Sequence, residues 1–360
     1  MDPVVVKWAD QGPDSAATGV AFRAFAEEVE EKTDGKVTFE YYWSAALLPG
    51  AEFLSGVGSG VADMAPLPPV YNPQELPVTN WAAALNTSAE DTFPYDLLQR
   101  AATTSDLFED STIQAEFEKN NLKVITINPN PSYNLACKEP IESLASLQGR
   151  KVRAAGNLWI QEAEALGMVP VNLPTAELYE GLQRGVVDCV LIGAGSMSDY
   201  GVFDVASHFV PLNASSPFVA TVMNLDMWNS FSPELQDVFL EAGVNFMSNL
   251  VAADLEKYST VFGDGGPGKD VTWYDAPDVR EALAAYQNER IAGLAQAEGA
   301  PANAQEVLSA QEQSGAHWKE VLDGLDIPVA EDNADSIKKA WMTARDMDVT
   351  PFFENFAKRQ

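Results

Sequence analysis

An α/β fold with two lobes is predicted from the 360-residue sequence by three observations. The stretch 149–193 alternates short apolar segments of strand length with amphipathic segments of helix length that end at glycines. A chain of this length exceeds what one hydrophobic core usually serves, which favours two domains. A helical pattern begins at Ser232, an N-cap followed by proline, and continues to about Phe262, so it is long enough to bridge two domains.

The stretch 149–193 is the centre of the predicted fold, because it predicts three parallel strands joined by helical crossovers. The elements, in order, are a strand through Val152 and Arg153, a helix over 158–166, a strand over 169–173, a helix N-capped by Thr175 and ended by Gly185, and a strand over 186–192. Parallel strands place their carboxyl ends along one edge, where open α/β sheets bind small ligands. Neighbouring residues of a strand point to opposite faces, so Val152 can be buried while Arg153 faces an opening.

The elements on either side of this stretch are predicted from periodicity and from glycine and proline breaks. In order, they are a strand over 4–8, a helix over 16–32, a strand over 36–43, a short helix after the loop 44–50, an irregular wall over 66–81, a helix near 94–119, a strand over 122–127, strands over 133–137, 207–212, 217–225 and 271–274, and helices with breaks near 300 and 327 over 277–358. They predict another α/β lobe before the central stretch and a helical region at the end of the chain.

These elements divide the chain into four parts. Lobe I is predicted at 1–127, with 213–231 returning to it, and lobe II at 128–212. The long helix over 232–262 is expected to bridge the lobes, and 263–360 is expected to form a mainly helical region that packs on them.

An internal repeat indicates that the two lobes are of related build. GVGSGVAD at 56–63 matches GLQRGVVD at 181–188 at both glycines, the valine and the aspartate. In each copy we expect a helix to close at a left-handed glycine, Gly60 or Gly185, and a strand to begin at once. Each lobe then offers a strand end to a shared cleft.

The composition argues against several classes of partner. With 22 basic and 53 acidic residues the net charge is -31, so the surface repels nucleic-acid phosphates and anionic lipids. Such acidity with 46% hydrophobic residues favours a folded protein in a saline medium, where salt screens the self-repulsion. No run of 18 apolar residues is present, and we expect no membrane insertion. The start, MDPVVVKWAD, lacks the basic and apolar regions of a signal peptide, as a mature exported domain would.

The sequence has two cysteines, Cys137 and Cys189, and both fall on strands predicted in the same region. They are either a disulfide or two small buried thiols. Two cysteines alone do not separate these alternatives.

Signatures of catalysis are missing from the sequence. The segment 193–201 lacks the strand–turn–helix pattern of an esterase, and the two histidines, His208 and His317, have no neighbouring ligands or catalytic partners. No dinucleotide or phosphate-binding motif is present, and among 53 acidic residues no carboxylate pair is singled out for glycoside hydrolysis. We therefore expect no catalytic residue, no cofactor and no metal.

Arg153 stands out because basic residues are scarce in this chain. The pattern alone leaves two interpretations, a surface salt bridge or a guanidinium fork that binds a carboxylate bidentately at a strand end. Several aromatic residues leave a similar choice between protein core and pocket wall. They are Trp8, Trp43, Tyr71, Tyr133 and Trp159.

Several segments resemble the solute-binding proteins of tripartite ATP-independent periplasmic (TRAP) transporters, of the DctP-like family. They are GRKVRAAGN at 149–157, ALGMVPVNLPTAELYEGLQRGVVD at 165–188, and YYWSAALLPG at 41–50 followed by GVGSGVADM at 56–64. The very long bridging helix is similar too. The resemblance covers most of residues 3–262 and is loose after 270.

This resemblance implies a periplasmic, two-lobed binding protein of the type II-like class that is not an enzyme. Such a protein closes by a hinge motion on an organic acid and hands it to the membrane permease subunits. The family's ligand-clamping arginine falls on Arg153, so the resemblance implies the carboxylate-binding interpretation. The alternative class is an exported α/β hydrolase acting on a small acid or ester, which the missing nucleophile and base motifs count against.

Two departures from the family pattern bear on the ligand. Sialic-acid-type members have a second arginine on the crossing strand, where this chain has Tyr133 and Asn134, and the segment 189–193 is apolar where other members are polar or carry an acid–Trp pair. An apolar floor of Ile192 and Gly193 favours a small monocarboxylate with an apolar or aromatic body. The residues expected to contact it are Arg153, Tyr133, Asn134, Asn157, Trp159, Thr175, Ile192 and Gly193 in lobe II and Trp8, Asp10, Trp43, Pro68 and Tyr71 in lobe I.

Overall fold

The structure is a computed structural model that describes residues 2–87 and 92–359 of the chain. Its strands are β1 (Val4–Ala9), β2 (Val37–Tyr42), β3 (Met64–Leu67), β4 (Leu122–Asn128), β5 (Tyr133–Cys137), β6 (Lys151–Arg153), β7 (Val169–Val171), β8 (Cys189–Ile192), β9 (His208–Ala214), β10 (Val219–Asn224) and β11 (Thr272–Trp273). Its α-helices are α1 (Ala17–Lys32), α2 (Phe53–Gly58), α3 (Pro77–Ala82), α4 (Tyr95–Phe108), α5 (Ser111–Lys119), α6 (Leu144–Leu147), α7 (Asn157–Ala165), α8 (Leu178–Gln183), α9 (Ala194–Asp199), α10 (Leu225–Ser230), α11 (Pro233–Phe262), α12 (Pro277–Gly293), α13 (Ala304–Asp323), α14 (Ala334–Met342) and α15 (Thr350–Ala357).

The first sheet, in lobe I, has five strands in the order β2-β1-β3-β10-β4. β1 is parallel to β2 and β3, whereas β10 is antiparallel to β3 and β4. Trp8 of β1, Phe22 of α1 and Phe239 of α11 belong to one buried cluster, so these two helices cover one face of the sheet. The carboxyl ends of β1, β2 and β3 lie along one edge.

The second sheet, in lobe II, has six strands in the order β11-β9-β5-β8-β6-β7. β6 is parallel to both β7 and β8, which confirms the three parallel strands predicted from the central stretch. β5 runs antiparallel to β8 and β9, and β11 comes from the C-terminal region. Trp159 of α7 and Leu283 of α12 share a buried cluster with Val152 of β6, so these helices cover one face.

The segments 129–132 and 215–218 carry the chain between the two sheets, from β4 to β5 and from β9 to β10. They are hydrogen-bonded to each other. The side-chain amide of Asn130 donates to the carbonyl oxygen of Pro217 at 3.3 Å, and the hydroxyl of Ser216 donates to the carbonyl oxygen of Asn130. The two crossings therefore lie side by side.

The long helix α11 begins after Ser232, whose hydroxyl accepts a hydrogen bond from the N–H of Leu235 at 3.4 Å, as the sequence predicted. It packs against α1 and β4 of lobe I, against α9 of lobe II and against α14. Gly243 allows a close approach to β4, where the hydroxyl of Thr126 donates to its carbonyl oxygen at 2.8 Å. By length and composition α11 is also apolar enough to cross a membrane, but many of its apolar side chains are buried in the core of this fold.

One buried cluster joins both lobes to the C-terminal helices. It includes Leu67 of β3, Ile192 of β8 and Trp318 of α13. The C-terminal helices therefore share a hydrophobic core with both sheets.

Several elements have other boundaries than the sequence predicted, among them one helix and one strand. The helix expected near 94–119 is two helices, because Asp110 caps α5 by accepting hydrogen bonds from the N–H groups of Thr112 and Ile113. The strand expected over 186–192 begins only at Cys189. The residues before it complete the turn that follows Gly185.

The internal repeat has the predicted left-handed glycines in both lobes, but the strands do not begin at once, since β3 starts at Met64 and β8 at Cys189. Gly60 has a φ of 77° and Gly185 a φ of 72°, in the left-handed region that favours glycine. The next residue closes the helix in each case, since the N–H of Val61 donates to the carbonyl of Gly56 at 2.8 Å and that of Val186 to the carbonyl of Gly181 at 2.9 Å.

Cys137 and Cys189 form a disulfide between β5 and β8. The two residues are directly opposite each other in this antiparallel pair, and both are fully buried. Of the two alternatives left open by the sequence, the structure therefore has the disulfide.

Candidate functional site

Arg153 ends β6 and is buried, with only 1% of its surface exposed. Its Nε donates to the carbonyl oxygen of Leu173 and its Nη2 to the hydroxyl of Thr175, both at 2.9 Å. Its Nη1 is buried and makes no hydrogen bond to residues 2–87 and 92–359, although the hydroxyl of Tyr133 lies close enough to Arg153 for their interaction to lower the tyrosine's pKa. The guanidinium is thus fixed by two hydrogen bonds on one side and faces Tyr133 without an anionic partner, unlike the arginine of a surface salt bridge.

Thr175 orients this guanidinium instead of capping a helix. A 3₁₀ turn over Thr175–Glu177 precedes α8, and the N-cap of that turn is Pro174, which has no hydroxyl to offer. The prediction that Thr175 caps the helix is therefore wrong. Its hydroxyl lies on the Arg153 side because the chain between β7 and α8 crosses the carboxyl end of β6.

Two tyrosines, Tyr133 and Tyr200, lie within electrostatic range of the guanidinium. Burial raises the pKa of Tyr133 to about 12, and the nearby positive charge of Arg153 lowers that pKa only in part. Burial also raises the pKa of Tyr200 to about 12, with further upward contributions from Asp10 and Tyr71. Both hydroxyls therefore keep their protons at neutral pH and can donate hydrogen bonds to an anion. These contributions link Tyr133 to Arg153 and Tyr71, and Tyr200 to Asp10, Tyr71 and Arg153, and we call these five side chains the cluster.

Trp159 supports the cluster from behind. Its ring stacks on Tyr133 with the ring centroids 4.9 Å apart, and its indole N–H donates to the carbonyl of Ser215 at 2.7 Å. The ring is almost fully buried in the lobe II core. Trp159 thus fixes the position of Tyr133.

Asp10 is the acidic member of the cluster and follows the carboxyl end of β1. It is 5% exposed, and its Oδ1 accepts a hydrogen bond from the N–H of Gly12 at 2.8 Å. Its Oδ2 is buried without a donor among the described residues. Burial raises the pKa of Asp10 to about 7, although the Gly12 and Gln11 backbone N–H groups lower it in part. The indole N–H of Trp8 lies close enough to lower this pKa as well, but it does not reach hydrogen-bond geometry.

The two lobes touch at the rim of this cluster. Val70, which follows β3, packs against the lobe II core, and a Cβ added to Gly156 would lie 2.0 Å from its Cγ2 atom. Gly156 has a φ of 101°, a conformation that residues with a side chain rarely adopt. The rim is therefore closed at a point where only glycine fits.

Gly193 faces open space inside the protein. It is buried at the end of β8, next to Ile192, yet a Cβ added to it would meet no protein atom within 4 Å. A small solute can therefore approach the backbone here without meeting a side chain. The apolar floor of Ile192 and Gly193 stays a prediction.

Trp43 lies apart from this space, and Trp8 approaches it only with its indole N–H, beside Asp10. Trp8 is fully buried against Phe22, with the ring centroids 3.4 Å apart, because strand alternation points it to the α1 face. Trp43 stacks on Tyr41 with the guanidinium of Arg23 over its ring, on the same α1 side.

Asn157 and Pro68 also contribute little to the cluster. Asn157 is exposed at the first turn of α7. Pro68 is buried and begins the 3₁₀ turn that carries Tyr71, whose N–H donates to the Pro68 carbonyl at 3.3 Å. Pro68 thus positions Tyr71, which is the residue of this turn that belongs to the cluster.

Successive side chains of a strand point to opposite faces of the sheet. Asn134, which follows Tyr133 on β5, therefore faces a different cavity. Its side chain is buried, donates to the carbonyl of Ser132 at 3.0 Å and accepts from the N–H of Leu212 at 3.1 Å. It lines a cavity of ≈ 700 Å³ between the second sheet and helices α11, α12 and α14, which also includes Trp341. That cavity contains none of the residues that surround Arg153.

Tyr200 and Val70 are members of the site that sequence reasoning missed. Tyr200 follows the short helix α9, and Val70 lies in the 3₁₀ turn before Tyr71. Neither belongs to a periodic segment, so only their position after the strand ends of β8 and β3 could have pointed to them.

The described part of the chain offers no arrangement for metal chemistry. Within residues 2–87 and 92–359 no group of three or more His, Cys, Asp or Glu side chains could hold a metal ion. His208 lies on β9 with its Nδ1 2.9 Å from the hydroxyl of Tyr274, and His317 lies on α13.

A family model matches most of the chain. Residues 9–258 match the model of the bacterial extracellular solute-binding proteins, family 7 (DctP). A solute-binding protein of Sulfitobacter sp. (strain NAS-14.1) is 25% identical over 254 residues, which are 66% of this chain and 71% of that protein. The 2,3-diketo-L-gulonate-binding periplasmic protein YiaO of Escherichia coli (strain K12) is 26% identical over 254 residues, 66% of this chain and 72% of that protein.

Solved structures have the same fold. A marine metagenome TRAP solute-binding protein specific for pyroglutamate has a TM-score of 0.72 at 20% identity, over 87% of this chain and 100% of that one. The sugar acid binding protein of Advenella mimigardefordensis in complex with galactonate has a TM-score of 0.72 at 17% identity, over 87% and 99%. These proteins are solute-binding proteins of a transport system and not enzymes. The chain therefore belongs to family 7 of the bacterial extracellular solute-binding proteins, the DctP-like solute receptors of TRAP transporters.

Proposed function

We propose that this protein binds a small organic monocarboxylate between its two lobes, with Arg153 as the ligand of the carboxylate. The observation that carries the proposal is the buried Nη1 of Arg153, which makes no hydrogen bond to residues 2–87 and 92–359. A buried guanidinium without an anion is costly, because its charge has lost water and the two neutral acceptors on Leu173 and Thr175 replace that water only in part. A carboxylate from the solute would supply that partner.

The geometry of Arg153 favours a bidentate pair. Its Nε and one N–H of Nη2 are already engaged with Leu173 and Thr175, which leaves N–H groups of Nη1 and Nη2 on the outer end of the fork. Two parallel N–H···O bonds match the two oxygens of a carboxylate. The protonated hydroxyls of Tyr133 and Tyr200 can add further donors.

The walls of the site favour a compact apolar or aromatic body on the solute. Tyr71, Tyr133 and Tyr200 offer ring faces, and Gly193 leaves space beside the apolar Ile192. Proteins of the same fold support an acidic solute but not the apolar body. Their solutes include pyroglutamate, galacturonate and galactonate, all small acids, and the last two are polyhydroxy acids.

We propose that the protein is located in the periplasm and that its partners are the permease subunits of a TRAP transporter. Family membership supports both statements. The Cys137–Cys189 disulfide adds support, since structural disulfides persist in exported compartments and are rare in the cytosol. Lobe I at 1–127 with 213–231 and lobe II at 128–212 are the proposed rigid bodies, joined at the two crossings and by the bridging helix over 232–262, with 263–360 packed on them. No observation favours the alternative of an exported hydrolase.

A thermal-shift screen tests the proposed solute class. Aromatic, keto, sugar and sulfonate acids are compared at equal concentration, and we expect compact monocarboxylates with an apolar body to raise the melting temperature most. Stabilisation only by polyhydroxy acids would contradict the apolar body. Stabilisation by none of the carboxylates would contradict the function.

The substitution Arg153→Lys tests the clamp in the same assay and in calorimetry. We expect the affinity for the best carboxylate to fall about 30-fold or more, because the planar fork is lost while the charge is kept. Arg184→Lys is the matched control, since Arg184 is an exposed partner of Glu180 on α8 and should leave the affinity unchanged. Unchanged affinity in Arg153→Lys would contradict the clamp.

A further inference from the structure

We infer that the protein has a second small-molecule site, in the cavity of ≈ 700 Å³ beside the second sheet, and that this site takes a small zwitterion with an apolar body, of the amino-acid type. The site is separate from the proposed carboxylate clamp, because none of the five side chains of the cluster is among the described residues that line it. Its walls are β5, β9 and the helices α11, α12 and α14.

The cavity has the size and the mixed walls of a small-molecule site. Pockets for small ligands have volumes of about 300–1,000 Å³. Apolar walls come from Phe93 before α4, Ile291 of α12 and Trp341 of α14. Tyr258 of α11 stacks on Trp341 with the ring centroids 4.2 Å apart, so each ring holds the other in place. An aliphatic side chain of the ligand would be buried against these groups.

Two of these aromatic side chains are also hydrogen-bond donors. Trp341 is 5% exposed, and its indole N–H is buried and makes no hydrogen bond to residues 2–87 and 92–359. The hydroxyl of Tyr258 keeps its proton at neutral pH, because burial raises its pKa well above the ordinary value. A buried donor without an acceptor is costly, and the carboxylate of a ligand would supply acceptors.

The charged residues of the cavity favour a positive group on the same ligand. Asp96, Glu281 and Asp332 line it, and Arg280 is the one basic residue among the described lining residues. This arginine forms ion pairs with Asp275 at 3.4 Å and with Asp332 at 3.5 Å, so its charge is already balanced. A ligand with a carboxylate alone would add to the negative charge, whereas an ammonium group is attracted by the acids and by the aromatic faces.

A zwitterion satisfies both requirements at once. An amine without a carboxylate would leave the indole N–H of Trp341 without an acceptor, and a carboxylate without an amine would be repelled by the acids of the cavity. Leucine carries both groups and an aliphatic side chain for the apolar walls. It is therefore the probe for this site.

The first experiment compares three ligands with one carbon skeleton. Leucine has both charges, 3-methylbutylamine has only the ammonium group, and 4-methylpentanoate has only the carboxylate. Calorimetry measures their affinities in Arg153→Lys, in which carboxylate binding between the lobes is expected to be weakened. We expect leucine to bind about tenfold or more tightly than either of the others, because hydrogen bonds to charged groups contribute most.

The second experiment locates the site by adding Ala284→Phe or Ala285→Phe to Arg153→Lys. Both alanines are exposed on α12, but only Ala284 lines the cavity. The ring at 284 should lower the leucine affinity about tenfold or more by taking up space in the cavity, and the ring at 285 should leave it within about twofold.

Trp341→Phe tests the role of the indole, because it keeps an aromatic ring and removes the N–H group. We expect the leucine affinity to fall about fivefold or more and the affinity for 3-methylbutylamine to stay within about twofold, since only leucine offers the carboxylate. A loss of general packing would weaken both ligands alike.

Three outcomes would overturn the inference. Failure of all three ligands to bind would remove the second site and leave the carboxylate clamp untouched, because the thermal-shift screen tests that clamp separately. Equal affinity of leucine and either analogue would remove the zwitterion. Unchanged leucine affinity in both Ala284→Phe and Trp341→Phe would place the binding outside this cavity. If Trp341→Phe does not fold, the comparison of Ala284→Phe with Ala285→Phe decides the location alone.

Discussion

The backbone of lobe I around Lys7 and Asp63 repeats that of lobe II around Lys151 and Asp188. In lobe I the N–H of Lys7 donates to the Asp63 carboxylate at 2.8 Å, and the N–H of Asp63 donates to the Lys7 carbonyl at 2.9 Å. In lobe II the N–H of Lys151 donates to the Asp188 carboxylate at 3.0 Å, and the N–H of Asp188 donates to the Lys151 carbonyl at 2.8 Å. The aspartate of the sequence repeat thus pairs two neighbouring strands in the same register in each lobe.

The side chains that this shared frame carries are different. Asp10 lies three residues after Lys7, whereas Arg153 lies two residues after Lys151, so one lobe brings a carboxyl group to the cleft and the other a guanidinium. The comparison teaches that the repeated backbone determines where the strand ends lie. The residues at those ends determine which chemical groups meet there.

The core behind the frame differs as well. Directly after the aspartate, Met64 of β3 lies opposite Met223 of β10, and at the equivalent place Cys189 of β8 lies opposite Cys137 of β5. All four residues are fully buried. Lobe I fills this position with two flexible side chains, whereas lobe II fills it with a covalent bond.

Removing that bond should give the largest effect on stability. Cys137→Ala with Cys189→Ala opens a disulfide between residues 52 positions apart, and we expect a loss of about 4 kcal/mol in the free energy of unfolding. Urea unfolding measures the loss, and reductant should reduce the stability of the unchanged protein by a similar amount.

The matched control lies at the equivalent place in lobe I. Met64→Leu with Met223→Leu keeps the volume of that core and should cost less than about 1.5 kcal/mol for each substitution. If the cysteine-free variant is as stable as the unchanged protein, the disulfide does not stabilise lobe II, and the proposed difference between the two cores is wrong.

Replacement of Asp10 should give the next largest effect on the free energy of unfolding. The size of this effect depends on pH. Burial raises the pKa of Asp10 from 3.8 to about 7, so over this window the folded protein keeps a proton that the unfolded chain has lost. The stability contributed by this group is therefore fully present below about pH 4 and is lost as the pH rises toward about 7. Asp10→Asn has no such loss, and its stability relative to the unchanged protein should increase by about 3 kcal/mol between pH 5 and pH 8.

Urea unfolding at the two pH values measures this increase, with Asp14→Asn as an exposed acid for comparison. A constant difference between the two proteins at both pH values would show that Asp10 titrates as an ordinary exposed acid. The stability of Asp10→Asn relative to the unchanged protein is thus expected to be more favourable at pH 8 than at pH 5.

Substitution of Gly156 should give the smallest of these effects. It acts on closure of the lobes and is measured as a loss of affinity. In Gly156→Ala the new Cβ would meet Val70, and we expect the affinity for the carboxylate to fall about tenfold, because the rim cannot close without strain. Gly149→Ala is the control for left-handed backbone strain alone, since its φ is 74° and its Cβ would meet nothing. Calorimetry measures the affinity, and solution X-ray scattering measures closure.

The double variant Gly156→Ala with Val70→Ala sharpens this test. Shortening Val70 removes the clash and should restore part of the affinity, whereas backbone strain at Gly156 alone would leave it low. No recovery would mean that the contact between Gly156 and Val70 does not limit closure.

Local patterns in the sequence were sufficient for the frame of lobe II. The position of Arg153 follows from strand alternation and from the rule that parallel strands end at one edge, both of which act within a few residues. The caps at Gly60 and Gly185 and the start of α11 at Ser232 follow from equally local chemistry. The break at Asp110 was missed because the apolar periodicity continues on both sides of it.

The features that depend on contacts between distant segments could not be predicted in this way. The disulfide requires the register of β5 against β8, which periodicity leaves open. Trp8 and Trp43 were placed at the ligand because a strand end does not show which face a side chain takes once a helix covers one side. Tyr200 joins Asp10 and Arg153 only through the approach of the two lobes.

The hydrogen bonds between the crossings 129–132 and 215–218 have a mechanical consequence. Asn130 is bonded to Ser216 and Pro217, so neither crossing can bend without the other. Two tied segments of this kind rotate about one shared axis, and twisting the lobes against each other would break the tie. We therefore expect the lobes to open by rotation about a single axis. Asp10 of lobe I and Arg153 of lobe II would then separate on opening and return to the same relative orientation on closure.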